Sequence, residues 1–237
     1  MSKLIFFRHG QASIGAENYD VLSPKGWKQA QLLGDHLNAE KQLFDKIFVG
    51  PLARQKDTFK AVAQCYQEKG ISLPKPQVVQ GLKEHHGIET MKKALPNLLK
   101  TDPYLIDLDN QTKQQTEKAL RNTMLGFHYF LGEWAEGNIS VAGMPTWKQF
   151  RKEVKQGLQQ ILSSTEKGET IGVFTSGGTI SAITAESLGI TTEKAVAELN
   201  FAIRNTSITS FLYNEKKFNL MTFNELPHLK KEMITFV

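Results

Sequence analysis

The chain has 237 residues, 40% of them hydrophobic and 22% charged, with a formal net charge of +5 at pH 7. These proportions suit one globular domain with a sizeable core and exclude disordered, collagenous and coiled-coil chains. The first apolar run, Leu4 to Phe7, is broken at once by Arg8 and His9, too short for a signal-peptide core or a membrane span, and the single Cys65 cannot form an internal disulfide, so a cytoplasmic location is expected.

In chain order, Lys3 to Phe7 reads as a short buried strand followed by a loop. Ser23-Pro24 supplies an N-cap and a first-turn proline, and Trp27, Ala30, Leu33 and Leu37 recur at helical spacing to about Asn38. Lys46 to Val49 predicts a second strand. A second helix is predicted from Leu52 to about Lys69, with Phe59, Val62, Ala63 and Tyr66 on one face and Gly70 as its stop. Cys65 falls on that helix as core filler. Val78-Val79 gives a weak third strand. From Ile88 to Trp147 there is no strand pattern but several amphipathic stretches, notably Thr116 to Ala135, which predicts a helical insertion. A helix from Trp147 to Leu162, a strand from Thr170 to Thr175 and a helix from Gly177 to Leu188 follow. Ser207 to Tyr213 and Phe218 to Phe223 predict a closing hairpin turned through residues 214–217. Strands alternating with helices predict an α/β class, here a three-layer α/β/α sandwich with a mostly parallel central sheet.

The sequence pI of about 9.1 raises the question of nucleic acid. Lysines such as Lys25, Lys28, Lys56, Lys60, Lys92 and Lys93 are dispersed beside acids, without a dense basic run. The expectation is a solvated surface that binds no nucleic acid and tolerates small anionic substrates. Arg8-His9-Gly10 lies just past the end of the first strand, where open α/β sheets bind ligands. A neutral imidazole there can accept a phosphoryl group while an adjacent guanidinium clamps its oxygens. Taken alone, the tripeptide reads more readily as a helix-capping or core histidine beside a surface arginine.

It is not alone. Leu22-Ser23 with Gly26, Gln29-Ala30 and Leu33-Gly34, then Pro51-Leu52-Ala53-Arg54 with Thr58, then Leu82-Lys83-Glu84, Phe174-Thr175-Ser176-Gly177-Gly178 and Asn205-Thr206-Ser207-Ile208 follow in order. The ordered set resembles the histidine phosphatase superfamily, the phosphoglycerate mutase-like family, and leaves only about 88–147 unmatched. The resemblance implies one histidine phosphatase-like domain over 1–237. It also implies that His9 is a nucleophile forming a phosphohistidine, that Arg8 and Arg54 neutralise the phosphoryl oxygens, and that Glu84 is general acid and then base. Ser176, Gly177, Asn18 and Asn205 would join Arg8 and Arg54 around the phosphate.

Two departures matter. Ser176 stands where the family's second histidine is expected; losing one preorganised donor costs about 10²–10³ in rate, and His85 or His86 could supply the absent imidazole. Gln11-Ala12-Ser13 replaces the Glu-Ser of true mutases, which favours a phosphatase. The resemblance therefore implies a phosphoric monoester hydrolase acting on a small phosphorylated metabolite, with no metal or other cofactor and no membrane partner, as a monomer or homodimer. The alternatives are a weak or inactive phospho-ligand binder of the same fold and a mutase-type phosphotransferase. Aromatics of the insertion, Phe127, Tyr129, Phe130, Trp134 and Trp147, are expected mainly in the core, and His36, His128 and His228 are expected to be structural.

Overall fold

The computed structural model describes residues 1–13 and 20–236. A six-stranded sheet runs in the order β3-β2-β4-β1-β5-β6. Its strands are β1 (Ser2–Arg8), β2 (Lys46–Val49), β3 (Gln77–Val78), β4 (Thr170–Thr175), β5 (Ile208–Asn214) and β6 (Lys217–Glu225). The first four are mutually parallel, β5 is antiparallel to β1, and β6 is antiparallel to β5. β1 is central, with Phe6 beside Val173 of β4 on one side and Thr209 of β5 on the other.

The alternation of side chains along β1 divides the core into two layers. Ile5 and Phe7 pack with Ile47, Val49 and Phe174 under α1 (Pro24–Ala39) and α2 (Ala53–Gln67), through Leu33, Leu37, Val62 and Tyr66. Leu4 and Phe6 face the opposite layer, α6 (Trp147–Ser163), α7 (Gly177–Leu188) and α8 (Glu193–Ala202). The expected three-layer α/β arrangement is present. The Ser23 hydroxyl accepts the Gly26 N–H at the start of α1, a cap worth about 1 kcal/mol. Gly70, just past α2, has φ +74°, a conformation that a side chain disfavours.

The stretch expected to be helical contains α3 (Gly87–Thr101), α4 (Pro103–Gln114) and α5 (Ala119–Glu136). Phe130, Trp134 and Trp147 are buried, so these aromatics are core material as expected. α8 has no counterpart in the sequence-derived elements. The closing residues, through a short 3-10 turn at Lys231–Met233, return to the first helix: Gln29 Nε2 donates to the Met233 carbonyl at 2.7 Å and to Thr235 Oγ1 at 2.8 Å.

Candidate active site

The C-terminal ends of β1 and β4 lie side by side, Arg8 opposite Thr175, and deliver the loops that carry the site. His9 follows β1 and is 3% exposed. Its Nδ1 lies 2.7 Å from the Gly10 carbonyl, which can only accept, so the ring proton is on Nδ1. Nε2 therefore presents its lone pair, and Arg54 Nε donates to it at 3.1 Å. Burial, reinforced by the charges of Arg54 and Arg8, holds the His9 pKa well below the usual imidazole value, so the ring stays neutral.

Arg54 is positioned by the start of α2, beyond Pro51. Thr58, one turn on, donates its hydroxyl to the Arg54 carbonyl and accepts the Gly10 N–H at 3.0 Å, tying the helix to the histidine loop. Asp20 sits at the same helix start. It accepts from the Ala53 N–H at 2.8 Å and pairs with Arg54 Nη1 at 2.8 Å. A carboxylate of the chain itself thus occupies the helix terminus, where anions are favoured. Arg8 is 8% exposed, donates from Nη1 to the Ile203 carbonyl, and lies 5.1 Å below the Phe236 ring.

Glu84 approaches the start of α7. Its Oε1 accepts the His85 N–H at 2.9 Å and its Oε2 the Gly178 N–H at 3.1 Å. Burial alone would raise its pKa, but His85, the two N–H donors and Arg54 outweigh that effect and hold the carboxyl below its ordinary range. Gly178 permits this approach, since a β-carbon there would lie 2.2 Å from Glu84 Oε1. At Gly177 a β-carbon would meet Asn200 Oδ1 at 2.9 Å and Arg8 Nε at 3.4 Å.

Ser176 is fully buried, and its hydroxyl oxygen accepts from Gln55 Nε2 at 2.8 Å. The same Gln55 nitrogen donates to the Leu82 carbonyl, so a neutral amide–hydroxyl pair fills the space beneath α7. Asn205 Nδ2 donates to the His9 carbonyl at 3.2 Å, and its Oδ1 accepts from Thr235 at 2.9 Å, so it supports the histidine loop. His85 sits beside Glu84 and packs on three aromatic rings, whereas His86 precedes α3 and accepts through its carbonyl from Thr90. Asn18 lies outside the described residues. Among the described residues, no group of three or more His, Cys, Asp or Glu could hold a metal ion, and no helix is long and apolar enough to cross a membrane.

The candidate site therefore joins His9, Arg8, Arg54, Glu84, Gly177 and Asn205 from five separate stretches. Sequence reasoning did not assign roles to Asp20, Gln55, Gln29 or Phe236. Each acts on a partner at least 33 residues away, so no local spacing announces it.

The profile of the histidine phosphatase superfamily, branch 1, matches residues 4–94 and 87–226. The chain belongs to this superfamily. The histidine phosphatase fold is shared with a phosphoserine phosphatase from Entamoeba histolytica at 20% identity and TM-score 0.61, over 97% of this chain and 100% of that one. An alpha-ribazole phosphatase from Shigella flexneri aligns at 17% identity and TM-score 0.59, over 94% and 96% of the two chains. A phosphoglycerate mutase from Bacillus anthracis aligns at 16% identity and TM-score 0.63, over 96% and 94%. No curated protein matches the chain. Within the histidine phosphatase frame, the Gln55–Ser176 pair is where this chain brings neutral groups to the start of α7.

Proposed function

We propose that the protein is a phosphoric monoester hydrolase that acts on a small phosphorylated metabolite through a phosphohistidine at His9. The observation that carries this reading is the His9–Arg54 contact: a neutral imidazole with its proton fixed on Nδ1 and a guanidinium N–H at its nucleophilic nitrogen. An arriving phosphoryl group takes over that N–H and frees the Nε2 lone pair for in-line attack. A P–N bond forms, the P–O bond to the leaving group breaks, and the electron pair stays on the leaving oxygen. Arg54 and Arg8 neutralise charge as it spreads over the phosphoryl oxygens.

Glu84 donates the proton that the leaving oxygen requires. The negative charge of the bound phosphoryl group raises the carboxyl toward protonation, against the N–H donors that favour its ionised form. In the second half, the Glu84 carboxylate takes a proton from water as the water oxygen bonds phosphorus and the P–N bond breaks back to Nε2. The family relationship, and structural relatives described as phosphoserine and alpha-ribazole phosphatases, support hydrolysis. One of these was solved with 3-phosphoglyceric acid, which supports a small, anionic class of substrate.

The buried, neutral Ser176 favours a second reading, a phospho-ligand binder with little turnover. Phosphate release from a panel of phosphomonoesters between pH 5 and 8, with His9→Ala as control, separates the two. Release that vanishes in the variant, with an acid-labile phosphoenzyme trapped on wild type, supports the hydrolase. Tight binding without release supports the binder, and equal release from both proteins overturns the His9 mechanism.

A further inference from the structure

His85 has an environment that packing alone does not explain. The Gly87 N–H points at its Nδ1 at 3.1 Å, so Nδ1 accepts and the neutral ring carries its proton on Nε2. That nitrogen is buried, has no hydrogen-bond partner, and lies 3.6 Å from Glu84 Oε1. Ring centroids of Trp134, Trp147 and Phe150 lie 5.9, 5.6 and 5.5 Å from the imidazole, and the Trp147 indole N–H is itself committed to Glu193. The aromatic walls offer the imidazole no alternative acceptor. A buried, unpaired donor costs free energy, so its retention beside a candidate acid–base group is informative.

We infer that His85 is a positioning residue for Glu84: its Nε2–H is aimed at the carboxylate and closes to a full hydrogen bond as the carboxyl loses its proton to the leaving oxygen. This deepens the proposed acid–base role of Glu84 and rests on it. When the Glu84 O–H bond breaks, the proton goes to the leaving oxygen and negative charge returns to the carboxylate. A donor already placed 3.6 Å away, on a ring packed against three aromatic side chains, needs only a small shift to meet that charge. The ionisable groups acting on His85 are Glu84, Glu89, His86 and Arg54, and burial dominates them, which keeps the ring neutral and its donor fixed. The imidazole therefore serves the carboxylate rather than supplying a phosphate-binding cation.

The test compares wild type, His85→Phe and His85→Gln. In His85→Phe, kcat is expected to fall about 10–100-fold with little change in KM, while the limb of the pH profile that belongs to Glu84 moves upward by about one pH unit. His85→Gln offers an amide N–H at a similar reach and restores most of the lost rate. A readout independent of turnover is the carbon-13 NMR titration of the Glu84 carboxyl, whose midpoint rises in His85→Phe. In wild type, nitrogen-15 spectra show the Nε2–H form, with a shift that follows the Glu84 titration; this stands even where a variant fails to fold. An unmoved Glu84 midpoint or pH profile in folded His85→Phe, or a wild-type His85 signal that ignores Glu84, overturns the inference. Glu84→Gln with wild-type turnover would instead defeat the acid–base reading, and the NMR coupling would still decide whether His85 governs the carboxyl.

Discussion

Replacing Gly178 with alanine separates the stability of this protein from its chemistry. The new β-carbon would lie 2.2 Å from Glu84 Oε1, 2.5 Å from His85 Cδ2 and 3.2 Å from Glu84 Cδ. Ordinary contact needs about 3.5 Å, so the carboxylate must retreat by more than ~1 Å, and displacement of that order at a reacting group costs about 10²-fold in rate. The first two atoms met belong to side chains that can yield, so the fold is expected to survive. Loss of the charge-assisted bond from the Gly178 N–H costs about 1.5–3 kcal/mol, offset by about 1 kcal/mol because alanine is the better helix residue. The net loss of stability is about 0.5–2 kcal/mol. Urea unfolding and steady-state phosphate release measure the two effects, with a Gly132→Ala variant in α5, where the new atom would meet only the Lys194 side chain at 3.5 Å, as the control for the mutation type. A Gly178→Ala protein that turns over within threefold of wild type would refute the placement of Glu84 in the reaction.

Acid sensitivity follows from the histidines. Burial, with the charge of His36 beside it, lowers His228 to about 4, against about 6.5 in the unfolded chain. The unfolded state thus binds more protons between these values, and stability falls on acidification from pH 6.5 toward 4. Of the stability lost between pH 7 and 5, about 2 kcal/mol is expected to disappear in His228→Gln, measured by denaturant midpoints at both pH values. Because His9 stays neutral well below pH 6.5, kcat/KM is expected to show no downward limb near pH 6.5 on acidification; such a limb, persisting in His228→Gln, would contradict the buried nucleophile. Ser176→His is expected to lower both activity and stability, by about 1–3 kcal/mol, because the imidazole must displace Gln55 from a fully buried space. A rise in phosphate release would show that a missing cation limits the rate. Asp20→Asn keeps an acceptor for the Ala53 N–H but releases the ionic hold on Arg54; kcat is expected to fall about tenfold with little change in thermal midpoint. Unchanged kinetics would mean that the charge of Asp20 does not position the guanidinium.

Much of this architecture is legible in the sequence where the signal is local. Thr170–Thr175 and Gly177–Leu188 match their predicted bounds because a continuous apolar run ends at paired glycines, and Gly189 then closes the helix with φ +68°. Ser23 caps α1 as expected, through a bond three residues long. α8 escapes because its buried stripe is only Val196, Ala197 and Asn200, too thin to mark a helical period. β3 is displaced by one residue from the expected pair, and both of its residues are exposed, so little hydrophobic pattern defines it. At the site, the positions of His9, Arg54 and Glu84 are readable from motifs, but their partnerships are not. That Asp20 holds the start of α2 is unreadable from the sequence, because a carboxylate 33 residues before Ala53 leaves no trace in the spacing around Arg54. Likewise, Ser176 is conspicuous as a departure, yet the Gln55 that engages it is 121 residues distant.

The strand order also fixes a timetable. β1 lies between β4 and β5, so the first strand made finds its neighbours only when residues 170–175 and 208–213 exist. At about 5–20 residues per second of synthesis, Leu4 to Phe7 wait roughly 10–40 s for both neighbours. Holding the Asn205 that supports His9 requires Thr235 as well. The histidine loop is therefore among the first parts of this protein to be synthesised and among the last to take shape, and a nascent chain can bury much of its α1–α2 layer before it can engage a phosphate.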